Sequence, residues 1–156
     1  MLKQLELLSI TAEGRYATAQ ELKFVRDYVA TVELRLSAYE KIRDNEDEIM
    51  ARLEAKLRKI QADIFQVGTR DVSFKCRRDI RIVLRNTNAA LLINDLDCLR
   101  EHILVWQRTL MKAFKLKHIT EKVHTTMPKI IEQFLTVEEF ALVEPVLQLN
   151  QAVLAC

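Results

Sequence analysis

Apolar residues recur along this chain at three- and four-residue steps, and the steps predict helices almost everywhere. Leu2, Leu5 and Leu8 open a short helix over Leu2 to Ile10, which Glu13-Gly14-Arg15-Tyr16 breaks. Thr18-Ala19-Gln20-Glu21 then has the form of a capping box, a hydroxyl and a carboxylate three apart that satisfy each other's backbone amides. Leu22, Val25, Val29, Val32, Leu36 and Tyr39 follow as one amphipathic helix. After an interruption at Asp44-Asn45, the period resumes through Ile49, Leu53, Leu57 and Ile60. Asp63 to Asp71, with Gly68, is the best loop in the chain.

The next helix is predicted from about Val72 to Ile93. Asp95 is an N-cap for another, with Leu99, Ile103, Trp106 and Leu110 on its apolar face. A helix near His118 to Leu135 contains Pro128, which kinks it unless the helix begins there. Thr136-Val137-Glu138-Glu139 is a second capping box, and Pro145 in the last helix implies a kink or a late start. No internal repeat or low-complexity segment interrupts this order. The segments are unequal, which suits a globin-like packing at least as well as a simple four-helix bundle.

Composition agrees with long helices and few tight turns. Only two Gly and two Pro occur among 156 residues, of which 49% are apolar. A chain of this length forms one domain and buries roughly 70% of its unfolded surface. Twenty-four basic side chains against 22 acidic ones leave no overall field for nucleic acid or a membrane surface. Cys76, Cys98 and Cys156 are odd in number and unevenly spaced, and no signal peptide precedes them. They read as thiols of a reducing compartment. No apolar run approaches a membrane span.

Candidate chemistry is sparse. Phosphate loops and dinucleotide fingerprints need clustered glycines, and only Gly14 and Gly68 are present. Cys98 and His102 share a helix face without a second pair to complete a zinc site. His102, His118 and His124 are available as haem ligands, but no attachment motif accompanies them. Lys75, Arg77, Arg78, Arg81 and Arg85 crowd one helix. A nucleic-acid-binding helix has this look, as does a solvated or partner-facing helix side. What remains is Cys76-Arg77-Arg78-Asp79, a thiol, a guanidinium and a carboxylate within about one helical turn. It is either a ligand-holding cluster or a surface turn beside a buried Cys.

The flanking residues favour the first. Cys76-x-Arg78-Asp79, then Leu84-Arg85, then Asp95, is similar to the bilin-attachment helix of the phycobiliproteins, with these residues at that family's spacings. Glu13-Gly14-Arg15-Tyr16-Ala17 resembles the family's Arg/Lys-Tyr-Leu turn, and Val32-Glu33-Leu34-Arg35-Leu36 its Gly-Glu-Leu-Arg segment. The resemblance runs to about Lys117 without large gaps, and more loosely beyond, with allophycocyanin-type subunits as the nearest type. It implies an all-α, globin-like helical domain with an N-terminal helical hairpin. That is a single domain over 1–156, with the hairpin and first core helix in about 1–42 and the remaining core in about 45–156.

The resemblance also implies a phycobilisome-related light-harvesting protein and no enzymatic activity. An open-chain tetrapyrrole of the phycocyanobilin type would be joined covalently to Cys76. Asp79 would accept hydrogen bonds from pyrrole N–H groups, Arg78 would pair with a propionate, and Arg77 would assist. Subunit association through Leu2, Leu5, Glu13, Tyr16 and Arg85 is implied, either as a homo-oligomer or with another phycobiliprotein-like subunit and other phycobilisome components. No nucleic-acid partner is implied, and contact with the thylakoid is peripheral at most, on its cytoplasmic face or in the plastid stroma.

Departures from the family pattern define two further readings. The loop before Cys76 is about four residues shorter than in typical members, a change that ordered loops tolerate, and the family's Pro-Gly-Gly-Asn segment is absent. Ile82, Val83 and Met111 stand where aromatics are usual, Asn94 stands for a Gly, and Thr11 stands for an acidic residue that Glu13 replaces nearby. These mark a divergent paralogue. Its alternative roles are a pigment-free or bilin-handling accessory protein, or a helical nucleic-acid binder using Arg78, Arg81 and Arg85.

Overall fold

In the computed structural model, which describes residues 1–155, helices account for nearly all of the regular structure. They are α1 (Leu2–Thr11), α2 (Lys23–Asp44), α3 (Glu46–Ile60), α4 (Ser73–Ile93), α5 (Leu96–Leu99), α6 (Val105–Ala113), α7 (Lys117–Ile131) and α8 (Val137–Leu154). A π-helical turn, Arg100–Leu104, joins α5 to α6, and a 3-10 turn, Glu132–Phe134, follows α7. The core lies where α7 packs on α3 and α8, and α4 packs on α2 and α8. Ile49, Leu53, Leu57, Leu91, Ile130, Ile131 and Val143 fill it, each at most 2% exposed. This is the all-α, globin-like arrangement that the resemblance implies. Cys156 lies outside the described residues.

Local signals account for most of the boundaries. Both capping boxes form. The Thr18 amide donates to Glu21 Oε2 (2.8 Å) while the Glu21 amide donates to Thr18 Oγ1 (3.2 Å). The first box closes a turn just ahead of α2 rather than its first helical residue. The Thr136–Glu139 box caps α8 directly, so α8 starts at Val137 and carries Pro145 within it instead of starting late. Pro128 likewise sits inside α7. Asp95 caps α5 by accepting from the Cys98 amide at 3.0 Å. Asn94 closes α4 at φ 50°, a left-handed conformation that Gly takes freely and Asn tolerates best among the others. This is why Asn is accepted where the family pattern has Gly.

Three expectations are corrected. The Asp63–Asp71 loop contains a two-stranded antiparallel hairpin, β1 (Gln66–Val67) with β2 (Arg70–Asp71), turning through Gly68 at φ 61°. The apolar stripe on α2 is largely not core. Val29 is 61% and Leu36 41% exposed, and α2 buries Arg35, Ala38 and Ile42 instead. Arg35 is held there because it donates to Leu91 O at the end of α4 (2.9 Å). Finally, the face of Leu99, Ile103, Trp106 and Leu110 is kept only in part: Leu99 is buried and Ile103 and Leu110 pack half-buried against the core, but Trp106 does not. Trp106 is 59% exposed, and Leu104, Gln107 and Met111 are buried. The π turn causes this, since one extra residue in a turn rotates every following side chain by about 100°.

Candidate functional site

Cys76 lies on the fourth residue of α4, where its backbone amide donates to Val72 O (2.9 Å). With Asp79, Ile80 and Val83 of the same helix it forms one wall of a cavity of about 30 Å³. Gln107 and Met111 of α6 close a second side. Leu116 and the α7 residues Ile119, Thr120, Val123 and His124 form the rest. The π turn is what aims Gln107 and Met111 here. Met111 therefore lies in the wall next to Cys76, where the family pattern places a Tyr.

The cluster predicted from sequence divides in two. Cys76 and Asp79 meet at the cavity; Arg77 and Arg78 do not line it. Arg77 reaches across to α3 and donates to Glu54 Oε2 from Nε and Nη2 (3.1 and 2.8 Å). Arg78 folds back on its neighbour, with Nε and Nη2 donating to Asp79 Oδ1 (3.1 and 3.0 Å). Asp79 is thus a carboxylate held at the rim by an exposed guanidinium, with Oδ2 outside that pair.

The thiol is 6% exposed, and burial pushes its pKa up to about 11, with the Asp79 and Asp71 carboxylates adding to the effect. Cys76 is therefore protonated at neutral pH and a poor nucleophile until something removes its proton. His124 is 7% exposed, and burial holds its pKa down to about 4, so the imidazole is neutral. Among the described residues, no side chain hydrogen-bonds to the His124 ring or to the Gln107 carboxamide. Sequence reasoning weighed His124 as a haem ligand and passed over Gln107. The signal for both was a polar residue on an otherwise apolar helical face.

The association residues lie elsewhere. Leu2 is 54% and Leu5 40% exposed, Leu7 and Ile10 are more so, and α1 buries no residue at all. Glu13 is exposed and Tyr16 almost wholly so. Arg85, the implied counter-charge for a partner, is engaged within the chain, donating from Nε and Nη2 to the two oxygens of Glu46 at 2.7 Å each. Arg81 joins the same network through Glu46 (3.1 Å) and Asp47 (2.6 Å). The arginines that suggested nucleic acid thus each face a carboxylate of their own chain. Cys98 Sγ lies 3.6 Å from His102 Nδ1, and no metal-binding cluster of three ligands occurs among the described residues.

The helical, globin-like domain thus brings the Cys-x-Arg-Asp thiol and carboxylate to one cavity with mostly apolar walls. The family model described as "Phycobilisome protein" matches residues 7–148, and the chain belongs to that family. Its members are pigment-carrying structural proteins associated with light harvesting at the thylakoid surface. No curated protein matches the chain significantly. No helix among the described residues is long and apolar enough to cross a membrane.

Proposed function

We propose that the chain carries an open-chain tetrapyrrole as a thioether on Cys76 and serves as a light-harvesting subunit of the phycobilisome. The observation behind this reading is the placement of Cys76 and Asp79 on one cavity with apolar walls. The residues fit the group. Cys76 would hold the group as a thioether, its S–H having added across a C=C of the pigment with nothing released. Asp79 Oδ2, outside the Arg78 pair, would accept pyrrole N–H groups and favour the protonated pigment. Arg78 is 65% exposed and swings from Asp79 to a propionate without leaving water. When bound, the pigment supplies visible absorption and passes excitation on.

At about 30 Å³ the cavity holds one or two waters and is too small to enclose a pigment ring. With its thiol buried and protonated, Cys76 reacts slowly by itself, and attachment depends on a lyase that supplies a base. The same small cavity, with Met111 in place of an aromatic wall, is the observation favouring the accessory reading, a pigment-free adaptor of the same assembly. In either case α1 and the exposed valine and leucines of α2 dock on a second globin-like subunit, because apolar helices this exposed gain stability only when covered.

Co-expression with phycocyanobilin-producing enzymes and a lyase panel tests the reading. Colour that survives a denaturing gel, fluoresces with zinc and disappears in Cys76→Ala supports attachment. A colourless wild-type chain with every lyase transfers the assignment to the adaptor.

A further inference from the structure

The π turn at Arg100–Leu104 that brings Gln107 and Met111 to the core also turns Trp106 outward. Trp106 is 59% and Phe114 64% exposed. With Leu110 between them they follow an i, i+4, i+8 ridge along α6 and its C-terminal cap, about 12 Å from end to end. Charge gathers at the Phe114 end of this ridge. Between Val105 and Lys122 the charged side chains are Arg108, Lys112, Lys115, Lys117 and Lys122 against Glu121 alone. None of these cations is ion-paired among the described residues, whereas the arginines of α4 each face a carboxylate. Lys112, Lys115 and Lys117 are all exposed around Phe114. Lys115 holds φ 59°, a conformation that Gly takes without strain. A strained residue kept at a surface corner points to a use for its side chain.

We propose that this face of α6 rests on an anionic lipid surface, with Trp106 and Phe114 seated at the headgroup level and Lys112, Lys115 and Lys117 on acidic headgroups. Charge decides against a second copy of the chain, which would set these lysines against their own kind. A partner helix docks its apolar face in a groove. Side chains more than half exposed project instead, which suits the flat boundary of a bilayer. Trp is favoured at that boundary, and a Lys stem lies along apolar surface with its ammonium in water. The family's place is at the thylakoid surface, and no helix among the described residues is long and apolar enough to cross a membrane. Contact of this chain with lipid is therefore peripheral, and apolar side chains combined with a basic cluster are what peripheral binding needs. The chain as a whole carries only +2, so the attraction is local to this corner.

Sedimentation of the full chain with mixed phosphatidylglycerol–phosphatidylcholine vesicles tests this, with pure phosphatidylcholine vesicles as the control. Trp106 is the one tryptophan of the chain, so its emission reports on this face alone. Wild type is expected to pellet with the anionic vesicles and to ignore the neutral ones. On the anionic vesicles its emission moves to the blue and is protected from acrylamide, and added salt releases it. Lys112→Gln, Lys115→Gln and Lys117→Gln together are expected to weaken binding about a hundredfold, the loss of three cations at a charged surface. Phe114→Ser is expected to weaken it about tenfold through lost apolar burial. All four side chains are exposed, so the melting temperature should hold in both variants.

No pelleting with the anionic vesicles overturns the lipid face. So does equal binding to both kinds of vesicle, or binding that the triple lysine variant leaves unchanged. Emission that is already blue and protected without vesicles means that another subunit covers Trp106, and overturns it as well. A Trp106 shift with polyglutamate or an oligonucleotide, and none with vesicles, reassigns the face to an acidic protein segment or a nucleic acid. Each outcome is read on the unpigmented chain, so none of them bears on whether Cys76 carries a pigment.

Discussion

Protonating Glu139 unfastens α8 from α2. Its carboxylate is 2% exposed and accepts from Ser37 Oγ (2.6 Å), from Lys41 Nζ (2.7 and 2.8 Å) and from the Thr136 amide (2.7 Å). Burial alone would raise its pKa. The Lys41 ammonium, the Ser37 hydroxyl and the Thr136 amide outweigh burial and hold it at about 2, against 4.5 for a free Glu. That depression is linked to at most about 3 kcal/mol of stability. Lys41 is 39% exposed, so its share is screened and the real figure is lower. A depressed folded pKa stabilises above the unfolded value of 4.5, and the contribution is lost as pH falls towards 2. By pH 3 about 2 kcal/mol of it is gone. Glu139→Gln keeps the shape and removes the titration. Urea midpoints followed by circular dichroism at pH 7 and pH 3 should show wild type losing about 2 kcal/mol more than the variant across that interval. Parallel losses in the two proteins would refute the reasoning.

Other outcomes follow from exposure and backbone geometry. Leu7→Asp with Ile10→Asp should convert the chain from a dimer or larger species to a monomer by sedimentation at micromolar concentration without lowering its melting temperature. Both side chains are more than 60% exposed in the single chain, and an unaltered sedimentation coefficient would exclude α1 from the interface. Cys76 is buried and its thiol is pushed up to about 11, while Cys98 is half-buried, so iodoacetamide at neutral pH should modify Cys98 well before Cys76. Equal modification by peptide mapping would contradict the burial. Lys115 ends α6 at φ 59°, a strained conformation for a side chain, and Lys115→Gly should raise the melting temperature by about 2–4 °C. A decrease would mean that the Lys115 side chain contributes more than its strain removes.

The parts of this fold legible in sequence were those fixed by local chemistry. Thr18 with Glu21, Thr136 with Glu139, the Asp95 cap and the Asn45 junction act within three or four residues, and each forms, the Thr18 box closing a turn ahead of α2 and not its first helical residue. What depended on tertiary packing was not legible. A 3.6-residue period cannot register the π turn, so Trp106 was assigned to the core position that Gln107 occupies. Arg35 is buried on α2 because the end of α4 offers it the Leu91 carbonyl, a partner 56 residues away in sequence. The hairpin at Gly68 is too short for an alternating pattern to show. For the site, the Cys76–Asp79 spacing was legible because both lie on one helix. Gln107, Met111 and His124 join them only through the packing of α4, α6 and α7, and Arg77 is drawn off towards Glu54 by α3.

The central claim is that Cys76 carries the pigment, and peptide mass mapping after co-expression with the bilin-producing enzymes and a lyase tests it most directly. The account expects one tetrapyrrole mass added to the peptide containing Cys76, none on the peptide containing Cys98, and none anywhere in Cys76→Ala. Pigment mass on another cysteine, or retained in Cys76→Ala, would contradict it.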